Sequence, residues 1–159
     1  MTERLLDIAE RALRHAAGPA LVQVRHARGL HVPFGPLDPG DARMTDDVRL
    51  NVLCLHDGRA GTATVSAFDD AAIRDAVRLA DAVSRGHAAA PHAGLAAPIV
   101  PEAHHGFDAA TAELDPEVAC AAARAALRAA SAAGAELRGV VEFADTALAV
   151  ASSVGARLA

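Results

Sequence analysis

Residues 48–65 carry the pattern that most constrains this chain: two alternating runs flanking an Asp-Gly pair. Val48, Leu50, Val52 and Cys54 fall on one face of an extended segment. Arg49 and Asn51 fall on the other, before Leu53 and Leu55 make both faces apolar. Asp57-Gly58 then suits a type I′ turn, because it tolerates positive φ. Arg59 to Ser66 is the return strand. Asp69 or Asp70 caps a following helix over 70–85, with Ile73, Ala76, Val77, Ala80 and Val83 as its buried stripe and Gly86 as its stop.

The rest of the chain is read outward from that hairpin. Residues 2–17 form a helix, with Leu5, Leu6, Ala9, Leu13 and Ala16 at helical spacing and Gly18-Pro19 ending it. Residues 20–28 form a strand in which Val22 and Val24 alternate with Gln23 and Arg25. Gly29 is read as a turn, residues 30–34 as a weaker strand and residues 35–40 as a loop. Prolines at 33, 36 and 39 would confine a strand there to a sheet edge. Residues 87–107, rich in Ala, Pro, Gly and His, read as a linker. Asp115-Pro116 opens a further helix that stops at Gly134. Residues 137–151 read as two strands around Ala144-Asp145, followed by a turn at Ser152, Ser153 and Gly155. The expected fold class is α+β: helix, antiparallel β-meander, helix, linker, long helix and β-hairpin. Its segments are 1–86, 87–113 and 114–159, the first and last packing as one domain.

Composition narrows the function classes. Apolar residues make up 52% of the 159, but much of that is alanine; there is no Trp or Tyr and there are four Phe. The core must be built from Leu, Val and Ala. All fifteen basic residues are Arg and the formal charge is −5. No basic or aromatic-interleaved stripe occurs, which disfavours nucleic-acid binding. No apolar run reaches the roughly 18–20 residues that cross a bilayer, and the N-terminus lacks a signal-like apolar stretch. Cys54 and Cys120, far apart and without metal spacing, read as reduced thiols of a cytoplasmic protein.

No catalytic residue emerges. Of eight histidines, His87, His92, His104 and His105 fall in the linker and are the only candidates for a metal site. Adjacent His104 and His105 cannot easily aim both rings at one tetrahedral ion, and no Cys or acid stands at a standard spacing. Solvated histidines are the favoured reading. Ser66, Ser131, Ser152 and Ser153 lie in no Gly-x-Ser-x-Gly elbow, and the last two read as turn residues. Gly58 and Gly61 bracket a hairpin, with no Gly-Lys-Ser/Thr after them to suggest a phosphate loop. Glu102 and Glu142 are isolated carboxylates.

Four segments carry a resemblance. Gly18 is followed by Leu21-Val22-Gln23-Val24-Arg25. The hairpin runs Val48-Arg49-Leu50-Asn51-Val52-Leu53-Cys54-Leu55-His56-Asp57-Gly58-Arg59-Ala60-Gly61-Thr62-Ala63. Leu114-Asp115-Pro116-Glu117 opens the late helix, and Ser152-Ser153-Val154-Gly155 closes the strands. In that order they resemble the N-terminal domain of the TldD/PmbA family, metal-dependent peptidases also known as modulators of DNA gyrase. The likeness covers nearly the whole chain and lies in the ordered set. Departures are Asp46-Asp47 and Ser152, where relatives carry Gly and Asn, and the proline-rich stretch 32–43.

Family members with peptidase activity hold a divalent metal on a His-Glu-x-x-x-His helix of a C-terminal domain, where the Glu polarises the bound water. This sequence has no His-Glu pair. The resemblance therefore implies a truncated, non-catalytic subunit with no cofactor of its own. It would pair as a heterodimer with a full-length, zinc-bearing TldD-like peptidase and help enclose a cavity for extended peptide. The setting expected is peptide or secondary-metabolite maturation (biosynthesis). Leu137, Val141, Phe143, Leu148 and Val150 are the expected partner-binding residues, and Arg49 and Arg59 the expected cavity rim. Two alternatives stand beside it. One is a stand-alone enzyme of a biosynthetic pathway with a site outside the family's usual one. The other is a homodimer that binds a small molecule or acts as a scaffold.

Overall fold

Helix α1 (Thr2–Arg14) begins the chain and buries Leu5, Ile8, Ala9 and Ala12 on one stripe. The structure, a computed structural model, describes residues 2–35, 39–88, 94–98, 106–113 and 115–159. Three strands follow: β1 (Ala20–Phe34), β2 (Arg43–His56) and β3 (Arg59–Val65). Helix α2 (Asp70–Gly86), one-turn α3 (Ala109–Ala112) and α4 (Pro116–Ala132) come next, then β4 (Gly139–Ser152) and β5 (Arg157–Leu158). The strands make one five-stranded sheet in the order β3-β2-β1-β4-β5. The expected α+β class is what the chain adopts.

The central hairpin forms as its sequence dictates. Leu50 pairs with Val65, Val52 with Ala63 and Cys54 with Gly61. Asp57 (φ 49°) and Gly58 (φ 72°) both take the left-handed conformation that a type I′ turn needs. Helix α2 starts where the Asp69 carboxylate accepts the amides of Ala71 and Ala72 at 3.1 and 3.0 Å. Such a cap contributes about 1 kcal/mol. Asp115 caps α4 in the same way, accepting from the Glu117 amide at 2.8 Å, with Pro116 in the first turn. Gly134, at φ 67°, follows its end.

Three boundaries differ from the sequence reading. Gly29 is not a turn: β1 runs unbroken through it, with Ala20, Val22, Val24, Leu30 and Val32 all buried on one parity. The glycine is used for close approach, since a Cβ there would lie 2.9 Å from Thr45 Oγ1. Ala144-Asp145 is not a turn either, and β4 passes straight through it. Asp145 is instead held by Arg28, whose Nε and Nη2 donate to its carboxylate at 3.1 and 2.6 Å. The closing hairpin lies further on. Val150 pairs with Leu158 and Ala151 with Arg157 around a turn that contains Gly155 (φ 97°). Lastly, β2 begins at Arg43 rather than Val48. The stretch read as linker holds α3, where the Asp108 carboxylate accepts the Thr111 amide at 2.7 Å.

By contact the chain divides into two compact units. The first comprises Met1–His26, Asp47–Ala103 and Ala147–Ala159; the second comprises Ala27–Asp46 and His104–Thr146. The divisions fall within β1, β2 and β4. The first unit's core joins the stripes of α1 and α2 to Val22, Val24, Leu50, Val52 and Cys54. Each fully buried Leu, Ile or Val there stabilises by roughly 1.5–3 kcal/mol. Gly61 on β3 lets α2 lie against the sheet: a Cβ at that position would be 2.2 Å from both Ala80 O and Ser84 N. The second unit's core is slighter. Leu30, Val32 and Ala119 are buried, with Cys120, Val141 and Phe143 packed against them.

Candidate functional site

A cleft of about 590 Å³ lies in the first unit, at the end of the sheet. Three turns bring its walls together. The exit of α1 contributes Ala17, Gly18 and Pro19, and the tip of the β2–β3 hairpin contributes Leu55, His56, Asp57 and Gly58. The last turns of α2 contribute Asp81 and Arg85, with Leu95 and Val154 closing the rim. The Leu55 amide donates to the Pro19 carbonyl at 2.8 Å, which ties the first two walls.

Its polar groups are partly spoken for. Arg85 reaches back one helical turn to Asp81, with Nε and Nη2 donating at 3.0 and 3.3 Å. That bond, followed by the nearby carboxylate charge, raises the Arg85 pKa. His56 Nε2 lies 3.4 Å from the exposed Asp57 carboxylate. Behind the wall, burial pushes the Cys54 thiol up, and the charge of Asp81 adds to it. A thiol so protonated is a poor nucleophile. Among the described residues no serine, threonine or cysteine lines the cleft. Its described lining offers apolar surface, the His56–Asp57 pair and the Asp81–Arg85 pair.

The residues expected from sequence fall in several places. Val141 and Phe143 pack into the second unit's core, whereas Leu148 is exposed and Val150 half-buried, on the opposite parity of β4. Leu137 lines a separate dent beside the end of α4. Arg49 pairs with Asp47 on its own strand. Arg59 Nη1 donates to the Arg85 carbonyl at 3.0 Å, bracing the last turn of α2. His87 Nδ1 lies 3.1 Å from the Ala60 carbonyl, while His92, His104 and His105 lie outside the described residues. Among the described residues no three His, Cys, Asp or Glu side chains come together as a metal site. Ser152 and Ser153 act as turn residues: the Ser152 hydroxyl accepts the Ala156 amide at 3.1 Å, and the Ser153 hydroxyl accepts the Ala20 amide at 3.0 Å.

Sequence reading missed the cleft itself. Asp81 and Arg85 carried a signal, their i,i+4 spacing on a helix. Pro19, His56 and Leu95 meet only through tertiary packing, which no local pattern announces.

Comparison with known proteins yields structures alone. No protein-family profile and no curated protein matches the sequence. The fold matches that of TldE from Thermococcus kodakarensis with a TM-score of 0.75 at 13% identity, over 96% of this chain and 35% of that one. It matches a candidate modulator of DNA gyrase from Bacteroides thetaiotaomicron with a TM-score of 0.74 at 16% identity, over 98% and 37%. Another candidate modulator, from Thermotoga maritima, gives 0.69 at 11%, over 98% and 35%. The chain thus spans about a third of the length of the structures it matches. The resemblance read from the sequence segments holds at the level of fold.

Proposed function

We propose that this chain, folded like part of TldE and of the gyrase-modulator proteins, is a non-catalytic pairing subunit. Its partner would be a zinc-bearing TldD-like peptidase whose peptide-binding cavity it helps to enclose. The observation that supports this reading is the likeness to TldE across 96% of the chain. The family resemblance implies pairing between a metal-bearing and a metal-free subunit. Zinc chemistry would belong to the partner, and the described residues supply no ligand set for it.

Co-expression with a TldD-like protein of the same host tests the proposal. A complex that survives gel filtration, with zinc carried by the partner, is the expected result. A chain that elutes alone at every concentration, and leaves the partner's peptide cleavage unchanged, would overturn it. The cleft at the sheet end favours one second reading, a small-molecule-binding module. Ligand-dependent protection of His56 and Leu55 amides in the lone protein would favour that reading over the first.

A further inference from the structure

The second unit holds a cleft of its own, of about 370 Å³, lined by His31, Pro33, Asp41, Arg43, Thr45 and Val140. That volume lies within the range of small-molecule sites. Three features distinguish this cleft, whose Pro33, Asp41, Arg43, Thr45 and Val140 are exposed and whose His31 is half-buried. A glycine sits in the middle of a 15-residue strand, where it costs stability and commonly marks a close approach. The point its Cβ would occupy is 2.9 Å from Thr45 Oγ1 and 3.5 Å from His31 Nε2. Thr45 and His31 therefore converge over Gly29. The other ring nitrogen, His31 Nδ1, stands 3.8 Å from a Glu142 carboxylate oxygen on β4. Finally, Asp41 and Arg43 line the same cleft two residues apart, and neither makes a salt bridge among the described residues.

A lone anion would meet Asp41 and Glu142, and a lone cation would meet Arg43. A ligand bearing both signs satisfies the set. We infer that this cleft binds a small zwitterion, a free amino acid or short peptide with an apolar side chain. Arg43 takes the carboxylate as a two-pronged donor, assisted by the Thr45 hydroxyl. Asp41 takes the ammonium group. Pro33 and Val140, the latter 53% exposed, receive the apolar side chain. The inference stands on the second unit alone and does not depend on the proposed pairing.

Calorimetric titration of the whole chain with L-leucine, Leu-Leu, N-acetyl-leucine and leucinamide tests it. L-leucine or Leu-Leu should bind, and the tighter of the two names the source of the zwitterion. N-acetyl-leucine, which lacks the ammonium, and leucinamide, which lacks the carboxylate, should each bind at least about tenfold more weakly, as expected for loss of one charge-assisted contact. Arg43→Gln and Asp41→Asn, both at exposed positions, should weaken binding to a similar degree while leaving the melting curve in place. Gly29→Ala should weaken it by displacing the Thr45 hydroxyl. Absence of heat with both zwitterions would overturn the inference. So would binding of either capped form as tightly as the free zwitterion, or unchanged affinity in Arg43→Gln.

Discussion

A single missing methyl group decides how closely α2 approaches the sheet. Gly61→Ala would drive a Cβ to 2.2 Å from the backbone of α2, where neither atom can swing aside. The expected loss is about 2–3 kcal/mol, read as a lower urea midpoint. Gly86 is the control, since a Cβ there meets nothing within 4 Å. Gly86→Ala, in the last turn of α2, should be neutral or raise stability by up to about 0.5–1 kcal/mol. The two cysteines separate in the same way. Cys54 is buried and Cys120 half-buried. Burial first, and Asp81 second, raise the Cys54 pKa, which favours its neutral thiol in the fold. That preference is fully present below the unfolded thiol's value and is lost as pH rises through the folded one. Iodoacetamide at neutral pH should therefore label Cys120 first and reach Cys54 only on unfolding, as mass spectrometry would show. Gly61 was legible only as part of a hairpin, because its constraint comes from α2, nineteen to twenty-three positions away in sequence.

Elements with strong local chemistry were readable in advance, and those set by distant partners were not. Asp57-Gly58 and Asp115-Pro116 announced a turn and a helix start through their own backbones. Asp145 looked like a turn residue by type, yet it lies within β4 with its carboxylate held by Arg28, 117 positions away. Gly29 misled for the same reason, since its role is defined by Thr45 on the neighbouring strand. Removing the partner should expose this dependence. Asp145→Ala leaves the half-buried Arg28 guanidinium without its acid and should cost about 1 kcal/mol, after allowing for solvent. The helices differ as well. Helix α2 buries Ile73, Ala76, Val77, Ala80 and Ser84, whereas α4 buries Ala119 and Ala123. Amide exchange followed by mass spectrometry should therefore open α4 well before α2.

At the scale of the whole molecule, the cores rest on small side chains, so surface pairs that join distant segments gain weight. Arg11 on α1 donates to Asp70 at the start of α2 and to the Phe68 carbonyl at 3.2 Å. The hydrogen bond from Arg11, then its charge, holds the Asp70 carboxyl below its ordinary value. A carboxyl more acidic in the fold than in the open chain adds stability above its unfolded value, near ~4. That addition is lost as acid takes the solution down through the folded value. Asp70→Asn should accordingly flatten the fall in melting temperature on acidification below about pH 4, an effect kept small by the exposure of the pair. The uninterrupted parity of β1 has a different consequence. The buried side chains Ala20, Val22, Val24, Leu30 and Val32 all fall at even positions of one strand, and the side each faces depends on that count. One extra amino acid spliced in near Ala27 would exchange the two sides of everything beyond it. Leu30 and Val32 would face water and His31 would face the interior. Reading-frame-preserving changes of a single codon in this stretch should thus be far less tolerated than substitutions.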